Sequence, residues 1–280
     1  AGVRHSALLA LDVLEKTAHG QYANLALDAA LKRAELSPAD RGLATALVYG
    51  VLEKQERLDY AIPFYANRPL TELTPDVLGL LRLGLYQLCF LERVPDHAAV
   101  NETVALAGRR TAGFVNAVLR AAVRGGKSLP LPPEEPAADW LSVRYSVSPA
   151  LAGRLISDLG RAKTAAFLGA LETPPPLTVR VNTLRTTREE LLGVLRKAGY
   201  DAKPTVRSRS GILLCGGAAV RELPGFDAGL FFVQDEASQL AVEALDAGPG
   251  MRVLDVCACP GSKSFGLAME MENCGELLAC

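Results

Sequence analysis

Met251-Arg252-Val253-Leu254-Asp255-Val256-Cys257-Ala258-Cys259-Pro260-Gly261-Ser262-Lys263-Ser264 is the stretch on which the fold class turns. Its apolar run, Arg252 to Val256, reads as a buried strand with an acid, Asp255, near its end. Pro260 and Gly261 break that strand, and Phe265 to Asn273 returns to a helical spacing of apolar residues. Strand, tight turn and helix in that order open a doubly wound α/β domain, which binds ligands outside the carboxyl ends of its strands. Gly261 lets backbone approach a ligand, and the following helix directs its free N–H groups at the same space. A phosphate-cradling loop would need glycine where Ser262 and Cys257 stand, so that reading is rejected. A dinucleotide fingerprint needs three glycines where only Gly261 is present. An ordinary strand–turn–helix without a ligand stays open on spacing alone.

The wording of the loop adds to its spacing. Asp255 to Ser264 resembles the Asp-x-Cys-Ala-Ala-Pro-Gly-Gly-Lys-Thr signature of the RNA cytosine-5 methyltransferases of the Sun/Nop family. Phe232-Val233-Gln234-Asp235-Glu236-Ala237-Ser238 resembles that family's Gln-Asp-Glu-Ala-Ser segment, and Val179-Arg180-Val181-Asn182-Thr183-Leu184 its Arg-Val-Asn-Thr segment. The departures are Cys259 for alanine, Ser262 for the second glycine and Ser264 for threonine; Ser262 puts a side chain where backbone would approach a cofactor. The resemblance implies S-adenosylmethionine as methyl donor, held by Cys257, Ala258, Cys259, Pro260, Gly261, Ser262 and Lys263.

The first 127 residues read as helices throughout. Ala7, Leu8, Leu11 and Leu14 share a face, and Leu43, Leu47, Val48, Val51 and Leu52 repeat at helical spacing behind Asp40, the expected N-cap. Pro75 opens a helix carrying Leu80, Leu81, Leu83, Leu85, Leu88 and Leu91, closed by Val94-Pro95. Two more helices are expected over His97 to Ala107 and Thr111 to Val123. Leu81 to Leu88, Val100 to Val104 and Phe114 to Arg120 resemble the NusB-like RNA-binding helical domain. A NusB-like domain ahead of a Sun-type methyltransferase is the arrangement of bacterial small-subunit (16S) rRNA cytosine-5 methyltransferases, and the resemblance spans nearly the whole chain.

A net charge of −1 over 280 residues hides an uneven distribution. Thr103 to Pro133 holds no acid but carries Arg109, Arg110, Arg120, Arg124 and Lys127, whereas from Glu222 onward ten acids face only Arg252 and Lys263. A basic front fits contact with a polyanion, and solvated helix faces fit the charge pattern equally well. Arg4, Arg109, Arg110, Arg120 and Arg124 are the expected phosphate contacts. Arg180 and Asn182 would either contact RNA or brace their own module.

The expected organisation is a NusB-like bundle over 1–127, a linker over 128–138, an α+β module over 139–225 and a methyltransferase domain beginning within 226–280. In that module a helix from Pro149 to Leu159, a helix through Lys163 to Leu171, a strand from Leu177 to Asn182, a helix from Thr187 to Ala198 and a strand from Gly211 to Cys215 are expected. The fold class is therefore α + α/β: an all-helical bundle, a small RNA-facing α+β module and the start of a Rossmann-like domain.

Six cysteines and three histidines at irregular spacing read neither as a disulfide framework nor as a metal site. With no secretory leader or membrane span in the pattern, the chain reads as cytoplasmic and reduced; the resemblance implies ribosomal RNA as its partner, and a monomer is expected. Methylating carbon 5 of cytosine needs temporary attack on the neighbouring ring carbon, work suited to a cysteine thiolate. None of Cys89, Cys215, Cys257, Cys259, Cys274 and Cys280 sits where the family's nucleophile would, so the catalytic residues are expected beyond Cys280. Leu277 to Cys280 reads as the second strand of the catalytic sheet. The 280 residues thus read as the front portion of an enzyme, inactive alone, with exposed apolar surface and poor order after about Gly248. The rival reading is a non-catalytic RNA-binding module acting in transcription or ribosome assembly.

Overall fold

The computed structural model describes residues 2–173, 175–216 and 219–280. It divides into two compact units, Ala1–Thr173 and Pro174–Cys280.

The first unit is helical: α1 (Gly2–Ala18), α2 (Ala23–Arg33), α3 (Pro38–Glu53), α4 (Gln55–Ala66), α5 (Pro75–Phe90), α6 (Asp96–Val104), α7 (Ala112–Arg124), α8 (Ala137–Tyr145), α9 (Pro149–Leu159) and α10 (Arg161–Leu171). Helix α3 is capped by Ser37, whose hydroxyl accepts the Asp40 N–H, with Pro38 in the first turn. Asp40 is therefore not the N-cap: the proline pre-sets the first helical position, and the cap falls one residue before it. Helix α5 buries Val77, Leu80, Leu81, Leu83, Leu85 and Leu88, more than one face, because other helices surround it. Gly84 makes that possible; a Cβ there would stand 2.7 Å from both terminal methyls of Leu119, a fully buried side chain of α7. Gly84→Ala tests this. Alanine would gain roughly 1 kcal/mol of helix propensity, but overpacking costs about 1–3 kcal/mol, so net destabilisation in urea unfolding is expected.

Helix α8 begins directly after Pro136, within the last residues of the expected linker. With α9 and α10 it forms a small separate core of Leu141, Ala152 and Leu168.

The second unit starts with an antiparallel sheet of β1 (Leu177–Val181), β2 (Asp201–Pro204), β3 (Gly211–Cys215) and β4 (Phe231–Val233), in the order β2-β3-β1-β4. Helix α11 (Arg188–Lys197) starts with a full capping box between Thr187 and Glu190 and buries Leu191, Leu192 and Leu195 with Val179, Val181 and Ile212. Helix α12 (Glu236–Leu245) then leads to β5 (Arg252–Asp255), α13 (Ser262–Glu270) and β6 (Glu276–Ala279).

β5 and β6 pair in parallel, as a strand–helix–strand unit requires. The expected buried strand is corrected here: β5 ends at Asp255, and its residues alternate between exposed and half-buried. Val253 and Leu277 pack with Val242, Ala247, Leu267 and Met271, while Leu254 (58 %), Val256 (66 %) and Leu278 (58 %) face solvent. The reason is geometric, since helices cover one face only. The expected exposed apolar surface after Gly248 is thus present, whereas the segment itself forms regular strand, helix and strand.

Candidate functional site

The loop between β5 and α13 is an open turn. Cys257, Cys259 and Pro260 are exposed, and Ala258, Gly261 and Ser262 are half-buried. The Cys259–Pro260 peptide is cis, and Gly261 has φ 101°, a left-handed conformation that side chains disfavour. Ser262 then starts α13, leaving the N–H groups of its first turn directed at the loop.

Asp255 gathers this turn. Its carboxylate accepts the Cys257 N–H at 3.3 Å and the Ser264 hydroxyl at 2.7 Å, tying strand end to helix start. The Ala258 N–H donates to the Cys280 carbonyl at 3.2 Å, so the next strand steadies the loop from its side. Lys263 is exposed and makes no ion pair among the described residues. A turn with a positive-φ glycine, free helix N–H groups and an uncommitted lysine fits a small anionic or zwitterionic ligand. All six cysteines are free. Among the described residues no group of three or more His, Cys, Asp or Glu side chains is placed to hold a metal, and no helix is long and apolar enough to cross a membrane.

The Gln-Asp-Glu segment proves to be a set of braces whose individual roles spacing alone did not reveal. Gln234 donates its side-chain amide to the Ser262 carbonyl at 3.1 Å. Asp235 caps α12 through the Ala237 N–H. Glu236 accepts the N–H groups of Ser208 and Arg207, which hold its carboxyl below the ordinary range. A depressed carboxyl contributes stability that is complete above about pH 4.5 and fades as pH falls from there. Glu236→Gln is accordingly expected to lower the urea midpoint most near neutral pH and least in acid, flattening the acid arm of the profile.

Arg180 requires a correction as an RNA contact. It is 1 % exposed and donates to Glu270 of α13 at 2.7 Å, so no phosphate reaches it. Burial lowers its pKa, opposed by Glu270 and Glu243. Asn182 is also committed internally, donating to the Gly229 carbonyl and accepting the Leu184 N–H. Asn182 braces the chain around its own sheet, and Arg180 ties that sheet to α13.

The basic residues of the helical unit fall into two neighbouring groups. Arg4 reaches from α1 to the Ala105 carbonyl just after α6, on the connection that also carries exposed Arg109 and Arg110. Arg120 and Arg124, one turn apart on α7, line a cleft of about 630 Å³ together with Asp96, His97, Val100 and Val123.

Comparison with known proteins assigns these pieces. Residues 3–124 match the NusB family, and residues 150–221 match the methyltransferase RsmF/B-like, ferredoxin-like domain. The chain joins a NusB-family domain to an RsmF/B-like ferredoxin-like domain. It is 37 % identical over 248 residues to the ribosomal RNA small subunit methyltransferase B of Pseudomonas syringae pv. tomato, covering 87 % of this chain and 54 % of that protein. It is 35 % identical over 274 residues to the probable ribosomal RNA small subunit methyltransferase B of Bacillus subtilis, covering 96 % and 61 %. The chain therefore spans little more than half the length of these relatives. Its fold is also that of the crystal structure of PH0851, with a TM-score of 0.70 at 23 % identity over 99 % of this chain and 62 % of the other. The NusB-family domain ends at α7, and the ferredoxin-like match takes in the four-stranded sheet up to β3.

Proposed function

We propose that this chain is part of an enzyme that methylates carbon 5 of a cytosine in small-subunit ribosomal RNA, with S-adenosylmethionine as donor. The observation that carries the reading is the turn at Gly261, open to solvent and closed beneath by Asp255, ahead of a helix start. The ancestry shared with small-subunit rRNA methyltransferases favours this reading over the non-catalytic binder.

Cys257 to Lys263 would hold S-adenosylmethionine, which supplies an electrophilic methyl group. The first-turn N–H groups of α13 and the Lys263 ammonium suit its carboxylate end. Ser262, which stands where the family has glycine, is half-buried, and its backbone carbonyl is taken by Gln234. Arg4, Arg109, Arg110, Arg120 and Arg124 would take the RNA backbone, which positions the substrate without reading its sequence. The target base must leave its stack to reach a site of this kind. Isothermal titration of S-adenosylmethionine into the complete gene product tests the cofactor assignment. Saturable binding is expected, and absence of binding would sink it.

A further inference from the structure

Two side chains, one from the central strand β1 and one from the residue just after β4, hold α13 at its two ends. Gln234, 3 % exposed, is fixed from behind: its N–H donates to the Thr178 carbonyl, and its own carbonyl accepts the Gln239 amide. Its side chain then reaches the Ser262 carbonyl, at the first residue of the helix. Arg180, on the central strand β1, reaches Glu270, the last residue of the same helix. Between them the helix is pressed onto the guanidinium at Gly266, where a Cβ would lie 3.0 Å from Arg180 Nη1 and 3.2 Å from Val242. Helix α13 thus has little freedom to slide or tilt against the sheet.

We propose that Gln234 and Arg180 are positioning residues for the methyl-donor site. The sheet dictates where α13 begins, and thereby where the Gly261 turn and the first-turn N–H groups point. The module would then be an aiming device for the loop, and its arginine and glutamine would act through α13 without touching substrate. The inference rests on the reading of Cys257–Lys263 as the S-adenosylmethionine site.

The test uses the complete gene product carrying Gln234→Leu. Leucine keeps the apolar bulk, removes an Oε1 that makes no hydrogen bond, and frees a carbonyl on a half-exposed residue. Stability is therefore expected to fall only slightly, since water can take the place of the lost donor at a carbonyl on a half-exposed residue. Losing one hydrogen bond at the loop is expected to weaken S-adenosylmethionine binding about tenfold, with RNA affinity unchanged, and to speed hydrogen exchange of the Phe265 and Gly266 amides, the first ones bonded at the head of the helix, by about the same factor. Exchange read on ligand-free protein decides the brace even if wild type binds no S-adenosylmethionine, an outcome that would remove the cofactor assignment alone. Unchanged exchange across those amides overturns the proposal, and so does unchanged affinity in a protein that binds the donor. Arg180→Met, which leaves Glu270 paired with Arg209, is the second variant and carries the same expectations. Failure of both variants to fold would also overturn the proposal, making the two residues elements of the core only.

Discussion

Glu270→Ala is expected to destabilise the second unit by about 3–5 kcal/mol, the cost of leaving a buried cation without its partner. Arg180 is almost wholly withdrawn from water, and its Nε and Nη1 make no hydrogen bonds, so Glu270 carries nearly all of its compensation. Glu243 lies within electrostatic reach but is itself held by the Ser208 hydroxyl and the Arg209 N–H. Arg209, the other partner of Glu270, is largely exposed and can turn to solvent. The cost therefore falls on Arg180. Replacing both members, Arg180→Met with Glu270→Leu, is expected to recover most of the loss, because a buried ion pair is weak as a source of stability and strong only as a penalty when halved. Urea unfolding followed by a probe in the second unit measures both. A single-variant loss below about 1 kcal/mol, the range of an exposed pair, would contradict the assignment.

Gly261→Val is expected to cost the loop its ligand. The backbone at φ 101° excludes a β-branched residue without strain of about 1–3 kcal/mol. An added Cβ would also lie 3.3 Å from the Phe265 ring, which packs edge-on against Phe232. The turn would have to change shape to accept valine, moving the first N–H groups of α13. A fall in S-adenosylmethionine affinity of roughly ten- to a hundredfold follows from that strain, with β5 and β6 still paired. Calorimetry on the complete gene product reads the affinity. Wild-type affinity in the valine variant would mean that the ligand does not use this turn.

The helical half was legible because its apolar residues recur at 3.6-residue spacing and the starts of α3, α5 and α9 carry prolines. The small strands were not. β2 is four residues, Asp-Ala-Lys-Pro, with one buried side chain, and its strand character comes from pairing with β3 rather than from its own pattern. β4 is three residues long and hides inside a motif legible only as a family resemblance. Arg180 misled for a related reason. Alternation in Leu177 to Val181 predicts one solvent face, but β1 is central, and the side that carries Arg180 is closed by α12 and α13. The loop itself was read correctly as a turn ahead of a helix. Its supports, Asp255 to Ser264 and Gln234 to Ser262, depend on contacts that sequence spacing does not encode.

The most direct measurement is transfer of labelled methyl from S-adenosylmethionine to small-subunit ribosomal RNA by the complete gene product, followed by nucleoside analysis. Label on carbon 5 of a cytosine is the predicted result. Label on any other base, or none in a protein that binds both donor and RNA, would contradict it.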